Sequence, residues 1–305
     1  MLSEVSQVRI FLMIKLLALD LDGTLLSSSG KLSETNKQAI RKAEESGVLV
    51  TICTGRRFRD AVPVALELQL TAPIISHNGA LIKFAETLEI LSASTINPTV
   101  AKTVLQIGRE LGFDPMVSVD PHGKGTLFYE RISEENLPLL AYINWARKLH
   151  GEEAEEAVHY VPNLDYVLDE SEVVHISFSG ACERMQEFQE VLESEMNSQV
   201  NVLATVYPKQ NFTLIDVLPP DTSKGAGVEK LAKFYGFSSS EVMAVGDNLN
   251  DLEMLEFAGI SVVVANASSE LLFNEKYHKT LSNDENGVAL AIEKFIFQNG
   301  KDSGY

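Results

Sequence analysis

At 305 residues, with 45% hydrophobic and 22% charged positions, the chain has the length of two domains, each able to bury its own core. A formal charge of −18 argues against a nucleic-acid backbone as partner, because that requires a basic footprint. It leaves room for a small phosphorylated ligand, whose charge a metal ion and a few basic side chains can offset locally.

The apolar run 10–14 is broken by Lys15, follows no basic leader and leads into acidic residues, so a signal peptide is not expected there. Residues 1–12 read as an extension, and no stretch approaches the ~18 uninterrupted apolar residues of a membrane span. A strand at 16–19 then ends in Asp20-Leu21-Asp22-Gly23-Thr24. Two carboxylates that close raise each other's pKa unless a cation lies between them, and a hard divalent metal is the usual solution. One carboxylate of such a pair can attack as a nucleophile while the other handles protons. Ser33 is placed to cap a helix that runs to 46 and stops at Gly47. Cys53 closes a buried strand at 48–53, and Thr54-Gly55-Arg56 follows directly. A helix at 59–70 and a strand at 73–76 lead to His77-Asn78-Gly79.

The pattern changes between 91 and 207. Helices at 99–111, 139–149 and 182–196 mix with strands at 127–131, 173–179 and 202–206, and the period-two alternation of Val174, Ile176 and Phe178 suits a sheet with one covered face. Residues 120–125 have the composition of a hairpin turn, the acidic tract 151–156 that of a solvated loop or helix end, and Trp145 that of a core residue of an amphipathic helix. The strand–helix grammar returns with a helix from Lys224-Gly225 to Tyr235 and a strand at 242–245. Gly246-Asp247-Asn248-Leu249-Asn250-Asp251 follows, then a helix to Ala258 stopped by Gly259, then a strand at 261–265. The predicted fold is α/β: a doubly wound, parallel, Rossmann-like core sheet (13–90 and 208–305) with an inserted α+β cap domain (91–207). Cys53 and Cys182 make neither a metal spacing nor a disulfide framework, which suits a reducing, cytoplasmic setting.

Parallel strands bring four strand-to-helix junctions to one carboxyl edge, where such sheets bind ligands. Thr54 and Gly55 offer a hydroxyl and backbone N–H groups to a phosphate oxygen, and Lys224 offers a cation. Asp247 at a strand end, with Asn250 and Asp251 at a helix start, suits a metal and an anion together. Each junction alone also reads as an ordinary turn or helix cap. Arg56, Arg57 and Arg59 are placed to help with an anionic substrate, with at least one expected as a solvated helix-start charge. Asn78 and Gly79 are candidates for a substrate or cap-facing contact, and His77 for a satisfied structural histidine.

In order, spacing and strand context these motifs resemble the haloacid dehalogenase superfamily of phosphohydrolases, in particular its Cof-like hydrolases with a large inserted cap. The stretches 76–80, 212–217 and 282–289 resemble that subgroup too. The resemblance implies that Asp20 attacks phosphorus to form an aspartyl-phosphate, while Asp22 protonates the leaving alcohol and then activates water. It implies magnesium held by Asp20, Asp247 and the backbone carbonyl of Asp22, with Asp251 nearby, and phosphate contacts from Thr54, Gly55, Lys224 and Asn250. The second acid, Asp22, points away from dehalogenation. The activity so implied is a magnesium-dependent phosphomonoesterase acting on small phosphorylated metabolites, such as sugar phosphates, pyridoxal phosphate or flavin mononucleotide. Its alternatives are a hexose phosphomutase and a non-catalytic protein that binds phosphometabolites. No nucleic-acid or membrane partner is expected, and the chain is expected as a monomer or homodimer.

Overall fold

The structure, a computed structural model, describes residues 14–134 and 136–298. The extension at 1–12 lies outside the described residues, as does most of the apolar run beside it. Among the described residues no helix is long and apolar enough to cross a membrane.

The chain begins with β1 (Leu16–Leu19), every residue of which is buried, as a strand covered on both faces requires. Helix α1 (Glu34–Glu45) starts where the Ser33 hydroxyl accepts a hydrogen bond from the Asn36 N–H, and it turns Ile40 and Ala43 inward. Strand β2 (Leu49–Ile52) and helix α2 (Phe58–Leu68) follow. Strands β3 (Ile74–Ser76), β4 (Leu81–Lys83) and β5 (Ile90–Ala93) form a separate antiparallel sheet, so β3 does not extend the parallel sheet as its sequence position implied. A parallel bridge between Cys53 and Ile75, with the Thr54 N–H on the Ile75 carbonyl, sets β3 beside the end of β2.

The second domain holds α3 (Pro98–Glu110), β6 (Met116–Val119), β7 (Thr126–Tyr129), α4 (Leu137–His150), the short α5 (Ala154–Ala157), β8 (Val158–Tyr160), α6 (Asp165–Glu170), β9 (Val173–Gly180), α7 (Cys182–Met196), β10 (Asn201–Tyr207) and β11 (Phe212–Leu218). Its strands form one six-stranded sheet in the order β10-β11-β9-β6-β7-β8. The expected turn at 120–125 joins β6 to β7, and the acidic tract ends in α5. The boundary expected at 207/208 is corrected here. Strand β11 pairs with β10 from Tyr207↔Phe212 to Asn201↔Leu218 and with β9 on its other side, so residues up to 218 belong to the cap sheet.

The chain then returns through α8 (Lys224–Tyr235), β12 (Val242–Gly246), α9 (Leu252–Phe257), β13 (Ile260–Val263), α10 (Ser269–Phe273), β14 (His278–Lys279) and α11 (Gly287–Ile292). The five-stranded sheet β14-β13-β12-β1-β2 is parallel throughout. Its winding reverses at β1, between β2 and β12, the place where doubly wound sheets open a crevice at their carboxyl ends. Each domain packs its own hydrophobic core, one around β1, β2 and β12, the other on the two faces of the cap sheet.

Candidate active site

The crevice is lined by the residues that directly follow these strands. Asp20 leaves β1 with its N–H bonded to the Val245 carbonyl, and its side chain is almost wholly buried. Lys224 opens α8 from the opposite wall, and its Nζ donates to Asp20 Oδ1 at 2.7 Å and Asp251 Oδ1 at 2.6 Å. The other oxygen of Asp251 accepts from the N–H groups of Asp247 (2.9 Å) and Asn248 (3.0 Å). Both Asp251 oxygens are therefore engaged, and this carboxylate anchors Lys224 and the loop after β12. Asp247 accepts from the Thr24 hydroxyl at 3.0 Å. Gly23, in the left-handed region at φ +84°, leaves the space Asp247 fills; a Cβ there would collide with its carboxylate.

One ligand oxygen from each of Asp20, Asp247 and Asp251 lies within 4.8 Å of the others. Lys224 is the cation bonded to this cluster, so three acids face one base. Burial, reinforced by Asp251 and Asp247 and opposed by Lys224, pushes the Asp20 carboxyl well above the usual range. Burial and the charge of Asp251 push Asp247 up to about 7. Asp20 and Asp251 outweigh burial at Lys224 and raise its ammonium above the ordinary value. Asp20 Oδ2 is buried without a hydrogen-bond partner. An orphaned carboxylate oxygen in a buried cluster with excess negative charge fits a hard divalent cation, with Asp20 and Asp247 as the side chains that have oxygens to give.

Asp22 does not join this cluster with its side chain, which is 53% exposed and turned to Arg56. The Arg56 guanidinium grips it in a fork, Nε to Oδ2 at 2.7 Å and Nη2 to Oδ1 at 2.6 Å. Arg56 is thus committed to a carboxylate, not free for an anionic substrate. Above it lies Trp145 of α4, its ring 5.2 Å from the guanidinium and stacked on Tyr142. Trp145 is 38% exposed, which corrects its expected role in the core: the apolar face of α4 is carried by Leu139, Ile143 and Ala146.

The expectation of a solvated arginine at this helix start is also corrected. Arg57 is buried, forked onto Asp60 at 2.7 and 2.8 Å and bonded to the Ala157 carbonyl. Arg59 is buried too, facing Glu153 and Glu156 of the cap. Thr54 is buried at the crevice wall, its hydroxyl accepting from the Arg56 N–H. Gly55 and Asn250 line the same cavity, so Thr54, Gly55, Lys224 and Asn250 do come together. Asn78 and Gly79 do not line it as substrate contacts, but Asn78 makes the cap-facing contact that was the alternative. Asn78 is fully buried; its amide donates to Asp216 of the cap strand β11 at 2.9 Å and accepts from Asn250 at 3.2 Å. Gly79, at φ +97°, packs against the Ser223 carbonyl, where a Cβ would collide. His77 is buried and bonded, as expected of a structural histidine.

The cavity has a volume of about 500 Å³ and is walled above by the cap. Met116, Leu127, Leu139, Tyr142, Phe212 and Leu214 give it a largely apolar lining, and His175 and Asp216 add a polar pair. None of these eight was expected at a site from sequence. Single residues on an alternating strand or an amphipathic helix carry no local mark of which face meets a ligand.

A doubly wound sheet with an aspartate at the end of β1, acids after β12 and a lysine opening α8 defines a hydrolase of the phosphatase kind. The chain belongs to the haloacid dehalogenase-like hydrolase family, whose model matches residues 17–292. Among curated relatives it is 29% identical over 294 residues to the 5-amino-6-(5-phospho-D-ribitylamino)uracil phosphatase YwtE of Bacillus subtilis, covering 92% of this chain and 98% of that one. It is 26% identical over 274 residues to the HMP-PP phosphatase of Cronobacter sakazakii, covering 85% and 87%. Among solved structures it is similar to a haloacid dehalogenase-like hydrolase from Bacteroides thetaiotaomicron, with a TM-score of 0.76 and 25% identity, over 92% of this chain and 99% of that one. Within the family the chain is a phosphatase of the Cof-like branch.

Proposed function

We propose that the chain hydrolyses phosphate monoesters of small metabolites by way of an aspartyl-phosphate on Asp20, with magnesium as cofactor. The observation that carries this reading is the unpartnered, buried Oδ2 of Asp20, facing a cavity whose walls hold Lys224, Thr54 and Asn250. The Asp20 carboxylate attacks phosphorus and the P–O bond to the alcohol breaks, while Asp22 gives that alcohol its proton. Asp22, now a carboxylate, takes a proton from water as the water oxygen attacks the acyl phosphate, and inorganic phosphate leaves with Asp20 restored. Thr54, the N–H of Gly55, Lys224 and Asn250 hold the phosphoryl oxygens in place. Asp20, Asp247 and the backbone carbonyl of Asp22 would hold the magnesium ion, which when bound offsets the repulsion between an anionic nucleophile and an anionic ester. Asp251 keeps Lys224 in position.

For Asp22 to act, its fork with Arg56 has to loosen, so substrate and Arg56 compete for the same carboxylate. The cap shields the acyl phosphate from bulk water and supplies the walls that choose the alcohol. The named activities of the relatives on a ribitylaminouracil phosphate and on HMP-PP support the coarse substrate class. The test is phosphate release from a panel of sugar phosphates and phosphorylated cofactors, with magnesium and with excess chelator. Metal-dependent release from at least one monoester is expected; isomerised hexose phosphate without release would make the chain a mutase.

A further inference from the structure

Behind the loops that face the phosphoryl group runs a buried line of polar side chains that the reaction above leaves unused and that ends on Asn250. It crosses from one domain to the other, and its hydrogen bonds have directions fixed from one end. The Phe58 N–H donates to His77 Nε2 at 3.2 Å. A ring nitrogen that accepts carries no proton, so neutral His77 bears its proton on Nδ1, 3.4 Å from His175 Nδ1. Burial, with His175 and Arg57 close by, holds His77 well below the ordinary imidazole range and keeps it neutral. His175 Nδ1 then accepts, and its own proton sits on Nε2, 2.8 Å from Asp216 Oδ1. From the other side Asn78 Nδ2 donates to Asp216 Oδ2, and Asn78 Oδ1 accepts from Asn250 Nδ2.

Asp216 is therefore the acceptor on which both halves converge. It is carried by β11 of the cap sheet, whereas Asn78, His77 and Asn250 belong to the core. Asn78 also sits directly beneath the other phosphate-facing loop. Its N–H donates to the Thr54 carbonyl at 3.0 Å, and a Cβ added to Gly55 would lie 3.1 Å from its Oδ1.

We propose that Asp216 and Asn78 are positioning residues of the phosphoryl site: the cap-borne carboxylate fixes which end of the Asn78 amide faces Asn250, and so turns the Asn250 amide toward the cavity. The inference rests on the phosphatase reading. It couples the cap to the chemistry, because the acceptor that sets this amide is present only while the cap sits on the core.

Two substitutions break the pattern and their combination restores it. Asp216→Asn, held by His175 at one oxygen, sets an amide nitrogen against Asn78 Nδ2, so Asn78 must turn over and face Asn250 donor to donor. Asn78→Asp sets a carboxylate against Asp216. The double exchange Asn78→Asp with Asp216→Asn gives each contact one donor and one acceptor again, with a carboxylate at position 78 accepting from Asn250 Nδ2. The measurement is the inhibition constant of inorganic phosphate in the presence of magnesium, with thermal midpoints recorded alongside. Each single variant is expected to weaken phosphate about tenfold, and the double variant to return to within about threefold of wild type. An unchanged inhibition constant in Asp216→Asn, with only kcat or the midpoint lowered, overturns the inference, as does a double variant no better than the worse single one. Failure of the phosphatase reading would show separately, as wild-type protein that releases no phosphate with magnesium, and the inference would fall with it.

Discussion

Lys224 lies buried between two carboxylates, so removing its charge should cost more than removing an exposed one. Lys224→Met keeps the stem but strands Asp20 and Asp251 without their shared cation. A loss of about 3–5 kcal/mol in urea denaturation, together with loss of turnover, is expected; a loss under about 1 kcal/mol would mean that water, not the lysine, compensates these acids. Asp22→Asn should behave in the opposite way. Its fork with Arg56 is half exposed, so stability should move by less than about 1 kcal/mol. Turnover should fall by about 10²- to 10⁴-fold, the usual contribution of a positioned acid–base group. Steady-state rates set beside denaturation midpoints separate the two effects. The sequence made Asp20, Asp22, Lys224 and Asp247 legible because each stands at the end of an apolar strand or the start of a helix, where a charged residue needs a reason. Asp216 lies within the stretch 212–217 that resembles the family, with no mark of its own. It sits within an ordinary alternating strand, and its partners Asn78 and His175 are 138 and 41 positions away.

Helices α2 and α4 meet across the domain boundary through a buried polar clamp. Asp60 of α2 takes the Arg57 fork, the Tyr142 hydroxyl at 2.9 Å and His150 Nε2 at 2.7 Å, the last two from α4. Although burial alone would raise it, Arg57 and His150 hold the Asp60 carboxyl far below the usual range. A depressed carboxyl contributes stability above its unfolded value, near pH 4, and loses that contribution as pH falls through the folded value. Asp60→Asn is expected to destabilise by about 3–5 kcal/mol at neutral pH, since it leaves Arg57 buried against a neutral amide. The difference from wild type should shrink as the denaturation series is taken toward pH 2; a difference unchanged across that range would deny the clamp its charge. The elements themselves were largely readable: α7 falls on the expected residues, and α3 is displaced by one. Sheet membership was not. β3 and β11 have the composition of core strands, and only the pairing itself, β3 with β4 and β11 with β10 and β9, assigns them to other sheets.

For the molecule as a whole, the acidic cluster makes stability depend on metal and pH together. Asp247, raised to about 7, binds a proton in the folded state that the unfolded chain releases near pH 4. Without a divalent ion the folded state therefore loses stability as pH rises from about 4 to about 7, because the unfolded chain binds fewer protons over that window. Magnesium should raise the thermal midpoint more at pH 8 than at pH 5, and scans at both values in magnesium and in chelator test this directly. An equal rise at both would place the ion elsewhere. The two-domain plan and the carboxyl-edge site were visible in the order of the motifs. The cavity's walls were not, since they come from five cap strands and one cap helix that only the folded sheet brings over Asp20.

The most direct measurement is the mass of the acid-quenched enzyme during turnover of its best monoester with magnesium. One phosphoryl group on the peptide that contains Asp20, absent in Asp20→Asn together with all phosphate release, is the expected result. Phosphate release that persists in Asp20→Asn, or an adduct on another peptide, would contradict the assignment of Asp20 as the nucleophile.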